Sequence, residues 1–351
     1  MPTFAEGRLS RVTVVCGSGK TVKELSSDVH ASFRGDCMKS VDSVLKLIGN
    51  TPMVKLRKVT SSDLRVKIEY LNPSGSLKDR IALKMIEEAE KSGQLKKGFT
   101  IIDASTGNTG IALSFVGAMK GYRVVIYHPA LGGVSKERVE MMKRYGAEVR
   151  LIDTAETGST ERSVNGAEIE NPLREMCRQL EKKDPTVWWA RQFSNPANAT
   201  AHNKTGEEIL TQTKGKADVF VAAIGTGGTL MGVSEVLKRR LPKVKIVGVQ
   251  PASSTESIVP GTVFPRNEVS GGIISDMMER GLVDKVVKVS DAEAISMAHR
   301  LWREEGLFCG ISSGANVFVA KKEVEEGFGE TGVTVLPDSG DRYLSEEHFV
   351  T

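Results

Sequence analysis

The sequence predicts an α/β fold of two lobes, with mostly parallel sheets and helices on both faces. Three observations carry this expectation. From Thr51 onward, short apolar runs alternate with segments of helical period, the rhythm of βα units. Residues 219–224 form an unbroken apolar run, as suits a strand covered on both faces. Glycine-rich turns join strand to helix near residues 75, 107 and 227, where such folds gather ligand-facing N–H groups.

The elements follow in order. Residues 1–43 read as an extension with a β-like run at 11–15 and polar residues after it. A dimer arm, a lid over a site and a partly disordered segment all fit that composition. Residues 66–70 read as a strand. Residues 79–91 read as a helix, with Ile81, Met85 and Ala89 at helical spacing and Gly93 as a stop. A strand at 99–103, a helix at 108–120 ending at Gly121, a strand at 123–127, a helix at 135–144 and a strand at 148–152 come next. A polar helical stretch covers 161–182. The second half repeats the rhythm: strand 187–190, helix 201–212, strand 219–224, helix 228–239, strand 244–249. A long loop with Pro251, Pro260 and Pro265 spans 251–272; loops of that length are commonly functional or mobile. After a strand at 286–289, Ser290 and Glu293 form a capping box. Its helix carries Ile295, Ala298 and Trp302 on one face and ends at Gly306. A helix from Ser313 and a strand at 333–336 finish the core.

The bulk numbers bound the function. The chain has 351 residues, enough for one large or two ordinary domains. Lys and Arg exceed Asp and Glu by only +4, with the charges interspersed, so no basic stripe for nucleic acid is seen. The small excess favours small anions instead. Cys16, Cys37, Cys177 and Cys309 show no metal spacing, and no metal site is expected. No apolar run reaches the ~18 residues of a membrane span. The N-terminus lacks a signal layout, so the cytoplasm is the expected compartment.

The chemistry centres on Asn72-Pro73-Ser74-Gly75-Ser76-Leu77-Lys78-Asp79-Arg80. Pro73 and Gly75 give a tight turn, and Lys78 stands at the mouth of a helix. The helix dipole there disfavours the ammonium, and a free amine can form an imine with an aldehyde. A lone lysine is ordinarily a solvated surface charge. Two more turns change that reading: Ser105-Thr106-Gly107-Asn108-Thr109-Gly110 and Gly225-Thr226-Gly227-Gly228-Thr229. Together the three look like the walls of one cofactor site.

With the late Gly310-Ile311-Ser312-Ser313-Gly314, these motifs stand in an order that closely resembles the cysteine synthase and cystathionine β-synthase family, fold type II enzymes dependent on pyridoxal 5'-phosphate (PLP). The resemblance runs from Ile48-Gly49-Asn50-Thr51-Pro52 to Pro337-Asp338-Ser339-Gly340-Asp341-Arg342-Tyr343-Leu344-Ser345. It implies a tryptophan synthase β-like fold. The large PLP-binding domain would be 44–79 plus 187–351, and the small mobile domain 80–186. It implies Lys78 as the lysine of the internal aldimine and the base on Cα. Gly225, Thr226, Gly227, Gly228 and Thr229 resemble the phosphate cup, and Asn108 the partner of the pyridoxal 3′ oxygen. Ser312 resembles the serine at the pyridine nitrogen, with Ser313 its nearest rival. Ser105, Thr106, Gly107, Thr109 and Gln192 resemble the grip on the substrate carboxylate. The family commonly has Thr-Ser where this chain has Ser105-Thr106. His202 resembles a structural position, and Cys309 reads as packing.

The activity implied is β-replacement through an aminoacrylate, making L-cysteine from O-acetylserine and sulfide in a homodimer. O-phosphoserine as donor, with Arg266 or Lys136 as phosphate partner, remains open. So do cystathionine synthesis, cysteine desulfhydration and a catalytically inactive binding relative. A plain nucleotide-binding module is disfavoured, since neither later turn has GxGxxG or P-loop spacing.

Overall fold

The computed structural model describes residues 40–130, 135–153, 170–252 and 272–350. The chain divides into Met1–Ser43 and Val44–Thr351, and the architecture below is that of the second unit. The 1–39 extension, most of the 251–272 loop with Arg266, and the start of the 161–182 stretch lie outside the described residues.

Two sheets organise the described chain. The larger has the order β1-β2-β10-β7-β8-β9, from β1 (Met53–Lys55), β2 (Asp63–Ile68), β7 (Val219–Ala223), β8 (Lys245–Pro251), β9 (Lys285–Val289) and β10 (Thr331–Leu336). Only the β1–β2 pairing is antiparallel. The smaller sheet is parallel throughout, in the order β5-β4-β3-β6. It comprises β3 (Thr100–Ala104), β4 (Arg123–Pro129), β5 (Glu148–Ile152) and β6 (Val187–Trp189). The helices are α1 (Lys78–Lys91), α2 (Asn108–Lys120), α3 (Lys136–Arg144), α4 (Asn171–Lys183), α5 (Pro196–Ala201), α6 (Asn203–Thr213), α7 (Gly228–Arg240), α8 (Ile273–Glu279), α9 (Asp291–Arg300), α10 (Ile311–Glu325) and α11 (Glu347–Val350).

Strand alternation sorts the cores. In β7, Val219 and Val221 face one cluster while Phe220 and Ala222 face another. In β3, Ile101 packs on the α1–α2 side and Ile102 on the α4 side. Both sheets are therefore covered on both faces, as parallel strands require. Among the described residues, no helix is long and apolar enough to cross a membrane.

Several boundaries differ from the expectation. Residues 187–190 are expected in the larger lobe, yet β6 pairs with β3 in the smaller sheet. Trp188, Ala190 and Ala197 also bury in that sheet's core. Sequence alternation alone does not say which sheet a three-residue strand joins. The expected strand 66–70 stops at Ile68, and Glu69–Leu71 is a 3-10 turn. Buried Glu69 is held there by Arg80 at 2.7 Å and the Thr51 hydroxyl at 2.6 Å. The helix expected at 201–212 is α6, and an unexpected short helix, α5, precedes it, capped by Asn195 and opened by Pro196. The capping box at Ser290 is present.

Candidate active site

In the larger sheet β10 lies between β2 and β7. Their carboxyl ends are therefore neighbours, and the chain leaves them through residues 72–77, 337–339 and 224–227. Ligands in open parallel sheets bind outside such ends. A cavity of about 150 Å³ opens there, lined among others by Lys78, Asn108, Gly225, Thr226, Gly227, Thr229, Ser312 and Pro337. The expected cofactor residues thus converge, apart from Gly228, which is buried behind them.

The turn before Lys78 is pinned at both ends. Gly75 has φ +85°, and a side chain there would collide with the Arg342 guanidinium, so glycine is required. The Leu77 N–H donates to the Pro337 carbonyl at 2.9 Å. The Asp79 carboxylate accepts from the Ser74 N–H at 2.7 Å and from its hydroxyl. Lys78 then opens α1 with its amine desolvated by surrounding protein yet reachable from the cavity. Burial pushes that amine down to about 8, and the Asp338 carboxylate opposes the shift. Desolvation is the largest cause of the shift.

The turn after β7 makes an anion cradle. Gly227 takes φ +86°, a left-handed residue that lets successive N–H groups converge. A side chain on Gly228 would collide with Asn198. Asn198, which sequence reasoning missed, donates to Thr226 Oγ1 at 3.0 Å and to the Gln192 carbonyl at 2.6 Å. Thr226 accepts there, so its own proton remains to donate. His202 contacts Thr229 Oγ1 at 3.2 Å and Thr205 Oγ1 at 3.1 Å. Burial holds its imidazole well below the ordinary range, consistent with a neutral structural role.

Of the two rival serines, Ser312 lines the cavity, whereas Ser313 is fully buried. Burial pushes the Cys309 thiol up to about 12, which suits packing rather than nucleophilic work.

The expected substrate loop is arranged differently. Ser105, Thr106, Gly107, Thr109 and Gln192 do not line the cavity. Ser105 Oγ accepts from Gly110 N–H at 3.0 Å and from Gly107 N–H at 3.2 Å. The Thr106 N–H and hydroxyl both donate to Glu170 Oε1, at 2.7 and 2.8 Å. Thr109 donates to Gln192 Oε1 at 2.6 Å. The loop thus already holds one carboxylate, from the protein itself. Lys136 is exposed at the start of α3.

A buried amine at a helix start, an anion cradle and a helix N-terminus around one crevice define a fold type II PLP enzyme. The chain belongs to the pyridoxal-phosphate dependent enzyme family, whose pattern it matches over residues 44–339. It is 42% identical to a cysteine synthase of Staphylococcus aureus over 316 residues, covering 88% of this chain and 96% of that one. Among solved structures, cysteine synthase from Entamoeba histolytica superposes with a TM-score of 0.77 at 34% identity, covering 90% of this chain and 93% of that one. The O-acetylserine dependent cystathionine β-synthase of Helicobacter pylori gives 0.76 at 30% identity, covering 89% and 100%.

The protein is therefore PLP-dependent, and the residues fit that group. The cradle leaves open space beside Gly225. The Gly225, Thr226 and Gly227 N–H groups have no backbone acceptor among the described residues. Lys78 lines the cavity, and its basicity is lowered to about 8.

Proposed function

We propose that the protein forms L-cysteine and acetate from O-acetylserine and hydrogen sulfide. The observation that carries this reading is the convergence of Lys78, Asn108, the 225–229 cradle and Ser312 on one cavity. It occurs in a chain 42% identical to a cysteine synthase.

Bound PLP supplies an aldehyde for an amine and a ring that draws electrons from the bonds at Cα. Gly225, Thr226, Gly227, Gly228 and Thr229 hold its phosphate through N–H groups, hydroxyls and the α7 dipole. Lys78 Nζ anchors the aldehyde in the resting enzyme and moves the donor's Cα proton. An amine lowered to about 8 sheds and takes that proton near neutral pH. Asn108 meets the 3′ oxygen. Ser312 would offer the ring nitrogen a hydroxyl rather than a carboxylate. Ser105, Thr106, Gly107, Thr109 and Gln192 grip the donor's carboxylate. For that, Thr106 exchanges Glu170 for the substrate. The smaller lobe, with its boundary moved to include β6, is the mobile one. The enzyme works as a homodimer in the cytoplasm.

The test is a donor panel of O-acetylserine, O-phosphoserine, serine and cysteine, crossed with sulfide and homocysteine and read by product mass. Cysteine from O-acetylserine and sulfide is the expected dominant product. Faster turnover of any other pair would replace this reading.

A further inference from the structure

Within the motif that ends at Ser345, Asp338 and Arg342 have no assigned role beyond the charge that Asp338 presents to Lys78. Asp338 is 1% exposed, as is Arg342. Asp338 Oδ2 accepts from Asn108 Nδ2 at 2.6 Å and from the Tyr343 hydroxyl at 2.6 Å. Arg342 donates to Asn108 Oδ1 at 2.7 Å, and its other terminal nitrogen donates to the Ser74 carbonyl. The two ends of the Asn108 amide therefore meet opposite partners. A carboxylate can only accept and a guanidinium can only donate, so a flipped amide would face two mismatches. One Nδ2 hydrogen is spent on Asp338, and the second is the donor left over beside the cavity that Asn108 lines.

We propose that Asp338 and Arg342 are positioning residues that lock the Asn108 amide with its free N–H toward the pyridoxal 3′ oxygen. This rests on the assignment of Asn108 to that oxygen. Stability alone gives little reason for such a carboxylate. Its Oδ1 is buried without a hydrogen-bond partner and lies against Gly310 at the start of α10, where a side chain would collide with it. A buried acceptor left unpaired is costly, so a small neutral residue would pack at lower cost. Arg342 ties the same lock to the turn that carries Lys78, through Ser74. One device thus aligns a ring contact and the lysine turn.

The experiment uses Asp338→Ala, Asp338→Asn, Arg342→Gln and Asn108→Ala, with Asp338→Ala also placed in the Asn108→Ala background. PLP affinity of the apoproteins and the visible absorbance of the bound cofactor are read, with circular dichroism reporting folding. Loss of one charge-assisted contact predicts about tenfold weaker PLP binding for Asp338→Ala, with a changed absorbance. Asp338→Asn keeps an acceptor for the amide and should recover most of the loss. In the Asn108→Ala background, Asp338→Ala should add less than about twofold, since both act through one amide. Should Asp338→Ala fail to fold, Arg342→Gln reads the lock from its other end, with the same expected loss. Unchanged affinity and absorbance in the folded Asp338 and Arg342 variants would overturn the proposal, as would a full effect persisting without Asn108. If Asn108→Ala itself changes neither readout, the assignment of Asn108 falls and takes the proposal with it. That outcome is distinct from a failure of the lock alone.

Discussion

At the scale of the residue, Lys78 is set apart by what surrounds it. An exposed lysine has a pKa near 10.4, whereas burial brings this amine down to about 8. The neutral amine, the form that reacts with an aldehyde, thus dominates about two pH units earlier than usual. We expect PLP uptake by the apoprotein to speed up with rising pH and to level off just above 8, followed by stopped-flow absorbance. A rate still climbing tenfold per unit beyond pH 9 would show an ordinary lysine. Gly228 makes a second residue-scale case, because a methyl group there meets Asn198, which holds Thr226. Gly228→Ala should cost about 1–3 kcal/mol of stability through overpacking, measured by thermal melting. It should also weaken PLP binding in a cofactor titration, because the Thr226 hydroxyl loses its orienting partner.

At the scale of the element, α1 is bound to the turn after β2 and to α6 by charges out of water. Arg80 pairs with Glu69 at 2.7 Å and with Glu208 at 2.8 Å, while Lys67 meets Glu208 at 2.7 Å. Removing Glu208 takes the carboxylate from Lys67 and leaves Arg80 with Glu69 alone. Glu208→Gln should therefore destabilise the protein by about 3–5 kcal/mol in denaturant unfolding. Despite burial, Arg80 and Lys67 hold the Glu208 carboxyl down at about 2. Its stabilisation is thus present in full above the ordinary value of 4.5 and lost as pH falls toward 2. The gap between wild type and Glu208→Gln should shrink across that window; a pH-independent gap would contradict the assignment. What sequence revealed follows from how local each cause is. Asn108–Lys120 and Glu148–Ile152 fall where expected, because a glycine stop and a short run bounded by turn residues act within a few positions. Met53–Lys55 and Pro196–Ala201 escaped, both too short to show a period. The polar residues lining the cavity were legible because each stands in or beside a glycine-bearing turn. Asp338 and Arg342 were not, because their partner Asn108 lies 230 or more residues away in sequence. Glu170 at Thr106 was missed for the same reason, being 64 residues away.

At the scale of the molecule, strand order decides where chemistry happens. Placing β10 between β2 and β7 brings a turn after β2, the end of β10 and a glycine cradle after β7 to one edge. Asn108 reaches the same cavity from the end of β3 in the other sheet. Covered faces on both sheets leave that edge as the place where backbone N–H groups can meet a ligand. Relatives with this scaffold carry more than one description, a cysteine synthase and an O-acetylserine dependent cystathionine β-synthase among them. Family membership accordingly fixes the cofactor but not the thiol. The most direct measurement is borohydride reduction of the holoenzyme followed by peptide mapping. A single pyridoxyl label on the peptide bearing Lys78 is the predicted result; a label on any other lysine, or none, would contradict it.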